Sequence, residues 1–204
     1  SALDWLREQP EVDGARLGII GMSKGAEAAL LVASQYPDLA AVVAAVPSSV
    51  VWPGFDWSKF RGLKESSWSL GGKALTALPY GRMTWSKGVR SIYEAGLADL
   101  PAHPDTVIPV ERSQAAILLI CAGKDQVWPS CRMAEQVSAR LLAHGAKPAV
   151  VLTYPDADHG VFASPLEAGD KPRRFGFGRP AEGNSQAQAD SWQRTVQFLE
   201  ESLA

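Results

Sequence analysis

The pentapeptide Gly21-Met22-Ser23-Lys24-Gly25 constrains this chain more than any other stretch. It reads G-x-S-x-G. Arg16-Leu17-Gly18-Ile19-Ile20 before it is a short apolar run of strand type, and Ala26-Glu27-Ala28-Ala29-Leu30-Leu31-Val32-Ala33 after it is a run of good helix formers. A strand that turns sharply into a helix with a serine at the bend lifts that hydroxyl clear of the backbone. It also aims the unsatisfied N–H groups of the helix start at it. The turn crowds the backbone, so a side chain at either flanking glycine is expected to collide with the neighbouring strand or helix. The plainer alternative is a glycine-rich connection with an ordinary solvent-facing serine. The rest of the chain decides between the two.

Ala2-Leu3-Asp4-Trp5-Leu6-Arg7 reads as the last turns of a helix stopped near Pro10. Ala41-Val42-Val43-Ala44-Ala45-Val46 and Ala115-Ala116-Ile117-Leu118-Leu119-Ile120-Cys121-Ala122 are continuous apolar strands, of the kind buried on both faces of a parallel sheet. A helix is expected from Ser130 to His144, with Met133, Val137 and Leu141 on one face and Gly145 as its stop. Ala149–Tyr154 reads as a further strand. The final helix carries Trp192, Val196, Leu199 and Leu203 at helical spacing. Between Pro47 and Glu111 the pattern changes. Four of the seven tryptophans fall there (Trp52, Trp57, Trp68 and Trp85), Gly and Pro recur, and aliphatic periodicity fades. This segment, 48–111, reads as a cap-like excursion with short helices lying over one end of the sheet. The alternation of strands and helices means one α/β domain over 1–204 with a parallel sheet.

Serine nucleophiles need a base within hydrogen-bond reach and a group that orients the base. Right-handed crossovers put Ser23, Asp125 and His159, each following a strand, along one edge of the sheet. Their order along the chain, serine then acid then histidine, is that of the α/β-hydrolase fold. The Lys24 N–H, first in the helix, is the expected oxyanion donor. Its side chain receives no role. His103 lies in the excursion and His144 at a helix end, both poorer places for a base. Asp156 and Asp158 are the other candidates for the orienting acid, but they stand too near His159 in sequence, and Asp158 reads more simply as the cap of a turn. No histidine or cysteine set completes a metal site with them, and no cofactor is called for.

Composition excludes other classes. A net charge of −2 over 204 residues argues against a general nucleic-acid binder. No apolar run is long enough to span a membrane, and no signal peptide opens the sequence. Cys121, inside an apolar run, reads as a buried reduced thiol. With only Cys131 beside it, a reducing cytoplasm is the expected compartment.

The chain resembles the type I acyl-CoA thioesterases and the bile acid-CoA:amino acid N-acyltransferases, over nearly its whole length. Gly21–Glu27, Ile108-Pro109-Val110-Glu111 and Ile117–Ser130 carry the resemblance most specifically, and His159 sits at the position of the family's histidine. The transferases have cysteine where this chain has Ser23, so the resemblance implies thioester hydrolysis of an acyl-CoA by Ser23, Asp125 and His159. It resembles dienelactone hydrolases more distantly, through the fold. Members of the family carry a preceding sandwich domain and a complete hydrolase sheet. This chain starts at the helix before the elbow strand, so the N-terminal strands are expected to be lacking and the elbow strand to be an open edge. A partner, or a second copy of the chain, would pair there. Two other readings stay open: a carboxylesterase or dienelactone-type hydrolase, and a catalytically weak interaction module using that edge. Lys171, Arg173, Arg174 and Arg179 in the late loop are candidates for meeting coenzyme A phosphates, or simply form a solvated basic loop.

Overall fold

Four parallel strands carry the molecule: β1 (Gly18–Met22), β2 (Ala41–Ala45), β7 (Ala116–Ala122) and β8 (Val150–Tyr154), adjacent in the order β1-β2-β7-β8. The computed structural model describes residues 1–56, 58–164 and 183–204. The basic residues Lys171, Arg173, Arg174 and Arg179, and Trp57, lie outside them. Helices α1 (Ala2–Arg7), α2 (Lys24–Gln35), α4 (Ser130–Ala143) and α5 (Asn184–Ser202) flank the sheet. None of the described helices is long and apolar enough to cross a membrane.

The two continuous apolar runs are buried on both faces because the faces meet different helices. Val42 and Ala44 of β2, with Ile117 and Leu119 of β7, join Leu30 of α2 and Leu141 of α4 in one cluster. Their neighbours Val43, Ala45, Leu118 and Ile120 point the other way, into a cluster with Ala187 of α5 and with Phe162. A parallel strand covered on both sides leaves no polar alternation in its sequence. Gly145 closes α4 with φ +65°, the left-handed conformation glycine tolerates. On α5 the inward row is Asn184, Ala187, Ser191 and Thr195, whereas Val196 is exposed. Trp192 and Leu199 of the expected face do pack against the second cluster, beside this row of small and polar residues.

The segment between β2 and β7 holds more strand than expected. An antiparallel hairpin of β3 (Pro53–Asp56) and β4 (Arg61–Ser66) is followed by a short one of β5 (Ser69–Leu70) and β6 (Lys73–Ala74), then by helix α3 (Arg90–Ala98) and several 3-10 turns. A third apolar cluster binds it together: Trp52, Leu78 and Tyr93 pack with Trp128 and Met133 from the sheet side. β1 has β2 as its neighbour on one side. Among the described residues no strand pairs with its other edge, where Ile20 is exposed.

The cysteines correct the sequence reading. Cys121 and Cys131 are joined in a disulfide, with Cα atoms 4.9 Å apart. Cys121 is near the end of β7 and Cys131 in the first turn of α4. The loop between them folds back far enough to bring strand end and helix start together. The expectation of a reducing compartment, which rested on free thiols, loses its ground.

Candidate active site

Ser23 sits at the turn from β1 into α2 with φ 57° and ψ −123°, a region that L-residues rarely occupy. Its N–H is held by the Ala45 carbonyl at 2.9 Å, and its own carbonyl accepts from the N–H groups of Ala26 and Glu27. The two glycines are not equivalent. A Cβ on Gly21 would run into the backbone carbonyl of Gly25, whereas a Cβ on Gly25 meets nothing. The expected collision holds only at the first position. Lys24, as the first residue of α2, has an amide N–H with no acceptor inside the helix.

Asp125 and His159 come to Ser23 from further along the sheet. The strand preceding His159 is three places from β1, about 14 Å at ordinary strand spacing. The turn after β8 crosses that gap. His159 Nε2 lies 2.8 Å from Ser23 Oγ, and its Nδ1 lies 3.0 Å from each Asp125 carboxylate oxygen. Asp125 is fully buried and His159 nearly so. Asp125 Oδ1 also accepts from the N–H groups of Val127 (2.9 Å) and Trp128 (3.2 Å), so the carboxylate is fixed by its own loop. The Trp128 ring meets His159 edge-on at 5.8 Å and donates from Nε1 to the Val46 carbonyl. Val46 itself is strained, at φ 42°.

The neighbouring acids do other work. Asp158 Oδ1 accepts from the Gly160 N–H at 2.8 Å and from Asn184 Nδ2 at 2.6 Å, and the Asp158 N–H donates to Asn184 Oδ1 at 2.9 Å. The turn bearing His159 is thereby pinned to the start of α5. Asp156 pairs with Lys124 at 2.8 Å. His103 pairs with Asp99 and His144 caps α4, and the structure joins neither to Ser23. Among the described residues no group of three or more His, Cys, Asp or Glu side chains is arranged to hold a metal ion.

A cavity of about 410 Å³ opens at Ser23, walled by Lys24, Gly54, Trp68, Tyr93 and Trp128. A second, of about 600 Å³, adjoins it across Pro53, Phe55, Leu63 and Tyr80. Lys24, whose side chain is given no role from sequence, lines the first cavity. Its ammonium is 2.8 Å from both oxygens of Glu27, 3.2 Å from the Trp52 carbonyl and over the Trp68 ring. Glu27 is wholly buried, and its Oε1 also accepts from the Trp52 N–H (2.9 Å) and Trp68 Nε1 (2.7 Å). Burial pushes the Glu27 carboxyl up and the Lys24 ammonium down, each partly offset by the other. Burial also pushes the Tyr93 phenol up to about 12. Glu27, Arg90 and Asn184 were not singled out from sequence. A lone carboxylate inside an otherwise apolar helix run was the available signal for Glu27.

The family model described as BAAT / Acyl-CoA thioester hydrolase C terminal matches residues 1–204. Acyl-coenzyme A thioesterase 5 of Mus musculus is 31% identical over 214 residues, covering 100% of this chain and 48% of the relative. The mitochondrial acyl-coenzyme A thioesterase 2 of Homo sapiens is 27% identical over 226 residues, covering 99% of this chain and 41% of the relative. The chain spans about half the length of the curated relatives it matches. Among solved structures, Pyrococcus horikoshii acylaminoacyl peptidase superposes with a TM-score of 0.59 at 15% identity, over 98% of this chain and 26% of that one. A dienelactone hydrolase-like promiscuous phosphotriesterase from metagenomic libraries gives 0.52 at 17%, over 98% of this chain and 58% of that one. At these identities the structural likeness shows the α/β-hydrolase fold alone. The family match along the whole length shows more: the chain belongs to the BAAT / acyl-CoA thioester hydrolase C-terminal family.

Proposed function

We propose that this chain hydrolyses acyl-CoA thioesters through an acyl-serine intermediate, with Ser23 as nucleophile, His159 as base and Asp125 as the group that orients it. The observation that carries the reading is the His159 ring itself, 2.8 Å from Ser23 Oγ on one side and 3.0 Å from Asp125 on the other. His159 Nε2 takes the Ser23 proton as Oγ attacks the thioester carbonyl. The Lys24 N–H faces the developing oxyanion. The tetrahedral intermediate collapses by breaking the C–S bond, and His159 returns the proton to coenzyme A, which leaves as the thiol. Water, deprotonated by His159, then attacks the acyl carbon, and the acid and free Ser23 are regenerated. The named activity of the thioesterase relatives supports the thioester as substrate.

The test is a fluorophosphonate adduct read by intact mass, with Ser23→Ala beside the wild type, followed by turnover of acyl-CoAs of graded length. One adduct per chain is expected, absent in the variant, whose turnover falls about 10⁶-fold. No adduct on folded protein would sink the nucleophile assignment. A second reading, a small oxygen ester as substrate, fits the dienelactone hydrolase-like neighbour. A kcat/KM for p-nitrophenyl esters above that for acyl-CoAs would support it over the first.

A further inference from the structure

We propose that Glu27 is a positioning residue of the hydrolytic pocket: it cancels the charge of Lys24 beside Ser23 and fixes Trp68 in the cavity wall, so that this side of the pocket meets its substrate neutral. The inference rests on the reading of Ser23 as nucleophile.

The ion pair is lopsided. Its carboxylate is wholly buried, but the Lys24 side chain is 36% exposed and its residue lines the cavity that opens at Ser23. Here the cation belongs to a residue of the cavity lining and is partly exposed, and the anion is not. Oε1 takes three donors at once: the Lys24 ammonium, the Trp52 amide and the Trp68 indole. The two tryptophans belong to the excursion, and Lys24 and Glu27 to the first turn of the helix that bears the serine. A single carboxylate therefore registers the pocket wall against the elbow. The other titratable groups that face it are Tyr80 and Tyr93 from the excursion, both pushed up by burial and so neutral. Asp125 and His159 stand at Ser23 on the sheet edge, paired with each other. With Glu27 neutralised, the Lys24 ammonium keeps only uncharged direct partners among the described residues, the Trp52 carbonyl and the Trp68 ring.

Glu27→Gln isolates this role. Glutamine keeps the shape and the Oε1 acceptor for both tryptophans, removes the negative charge and replaces the Oε2 acceptor of Lys24 with an NH2 group. The rate of fluorophosphonate labelling is measured against pH for wild type, E27Q and K24M/E27Q, with the unfolding midpoint of each. A bare ammonium beside the pocket disfavours protonation of the imidazole. The acid limb of E27Q is therefore expected to move to lower pH by about half a unit to one unit. In K24M/E27Q, where the cation is gone too, the limb returns to the wild-type position. An E27Q limb that coincides with the wild type overturns the proposal. So does an E27Q chain that no longer unfolds cooperatively, since the residue would then be holding the fold rather than the pocket. Wild-type protein that takes no label at Ser23 at any pH sinks the nucleophile reading instead, a different outcome from either.

Discussion

The Arg90 guanidinium, on α3 of the excursion, donates from Nη1 to the backbone carbonyl of Asp125 at 2.6 Å, while its Nε holds Glu94 at 2.7 Å. The excursion thus grips the sheet edge at two places, at Glu27 behind the serine and at the backbone of the acid. Arg90 touches neither Ser23 nor His159 in this structure and reaches the site through Asp125. A charge-assisted hydrogen bond contributes about 1.5–3 kcal/mol. Arg90→Ala is expected to lower acyl-CoA kcat/KM by about 10–100-fold, mostly in kcat, with Arg90→Lys recovering part of it. Turnover of the alanine variant within twofold of wild type would remove Arg90 from the acid's support.

The elbow glycines separate two effects that the motif merges. Alanine at Gly21 would push into the Gly25 carbonyl and the Ala26 nitrogen, neither of which can move without breaking the turn. Gly21→Ala is expected to cost at least about 3 kcal/mol. Gly25 lies in the first turn of α2, exposed and with open space around its Cα. There alanine restricts the unfolded chain and suits the helix, so Gly25→Ala is expected to stabilise by about 0.5–1 kcal/mol. Denaturant midpoints measure both. Equal losses at the two positions would mean that the crowding is not where the backbone places it.

Those glycines also show where sequence reading reaches its limit. β2 and β7 were legible because burial on both faces leaves an unbroken apolar run. The order of Ser23, Asp125 and His159 was legible because each follows a strand, so topology alone brings them to one edge. What depends on distant pairing was not legible. Glu27 takes its hydrogen bonds from Trp52 and Trp68, 25 and 41 residues away. The strand β4, Arg61–Ser66, has no apolar alternation; it pairs with β3, and Gly62 leaves room for the Tyr80 ring against its backbone. The disulfide escaped for the same reason: its cysteines meet only once the acid loop has folded back.

Glu111 and Arg140 give a stability prediction with a definite sign in pH. Arg140 on α4 grips both oxygens of Glu111, the second at 2.6 Å, and holds its carboxyl below the ordinary value of 4.5. Between those two values the unfolded chain binds more protons than the folded one. The pair's contribution is therefore complete above about pH 4.5 and is lost as the pH falls through the folded-state value. Glu111→Gln is expected to cost about 1 kcal/mol at neutral pH. The gap between variant and wild type narrows as the solution is made more acid than pH 4.5. A gap of the same size at acid and neutral pH would mean that the charge of Glu111 contributes nothing.

The Cys121–Cys131 bridge closes the short segment that contains Asp125, with a sequence separation of 10. A covalent link across so short a loop removes conformations chiefly from the unfolded chain, at about 2–3 kcal/mol for this loop size. Reductant is expected to lower the unfolding midpoint of the wild type by the same amount as Cys131→Ser, and to leave the variant's midpoint unchanged. The effect on labelling at Ser23 should be smaller, within about tenfold. Asp125 keeps its hydrogen bonds from the Val127 and Trp128 amides and from Arg90 whether or not the sulfurs are joined. The bridge therefore sets how often the acid loop opens rather than where the acid points when closed. Thiols that react with a dye in the unfolded but unreduced protein would show the cysteines to be free and would sink the prediction. A midpoint that falls together with a complete loss of labelling would show instead that the bridge, and not the amides, aims Asp125.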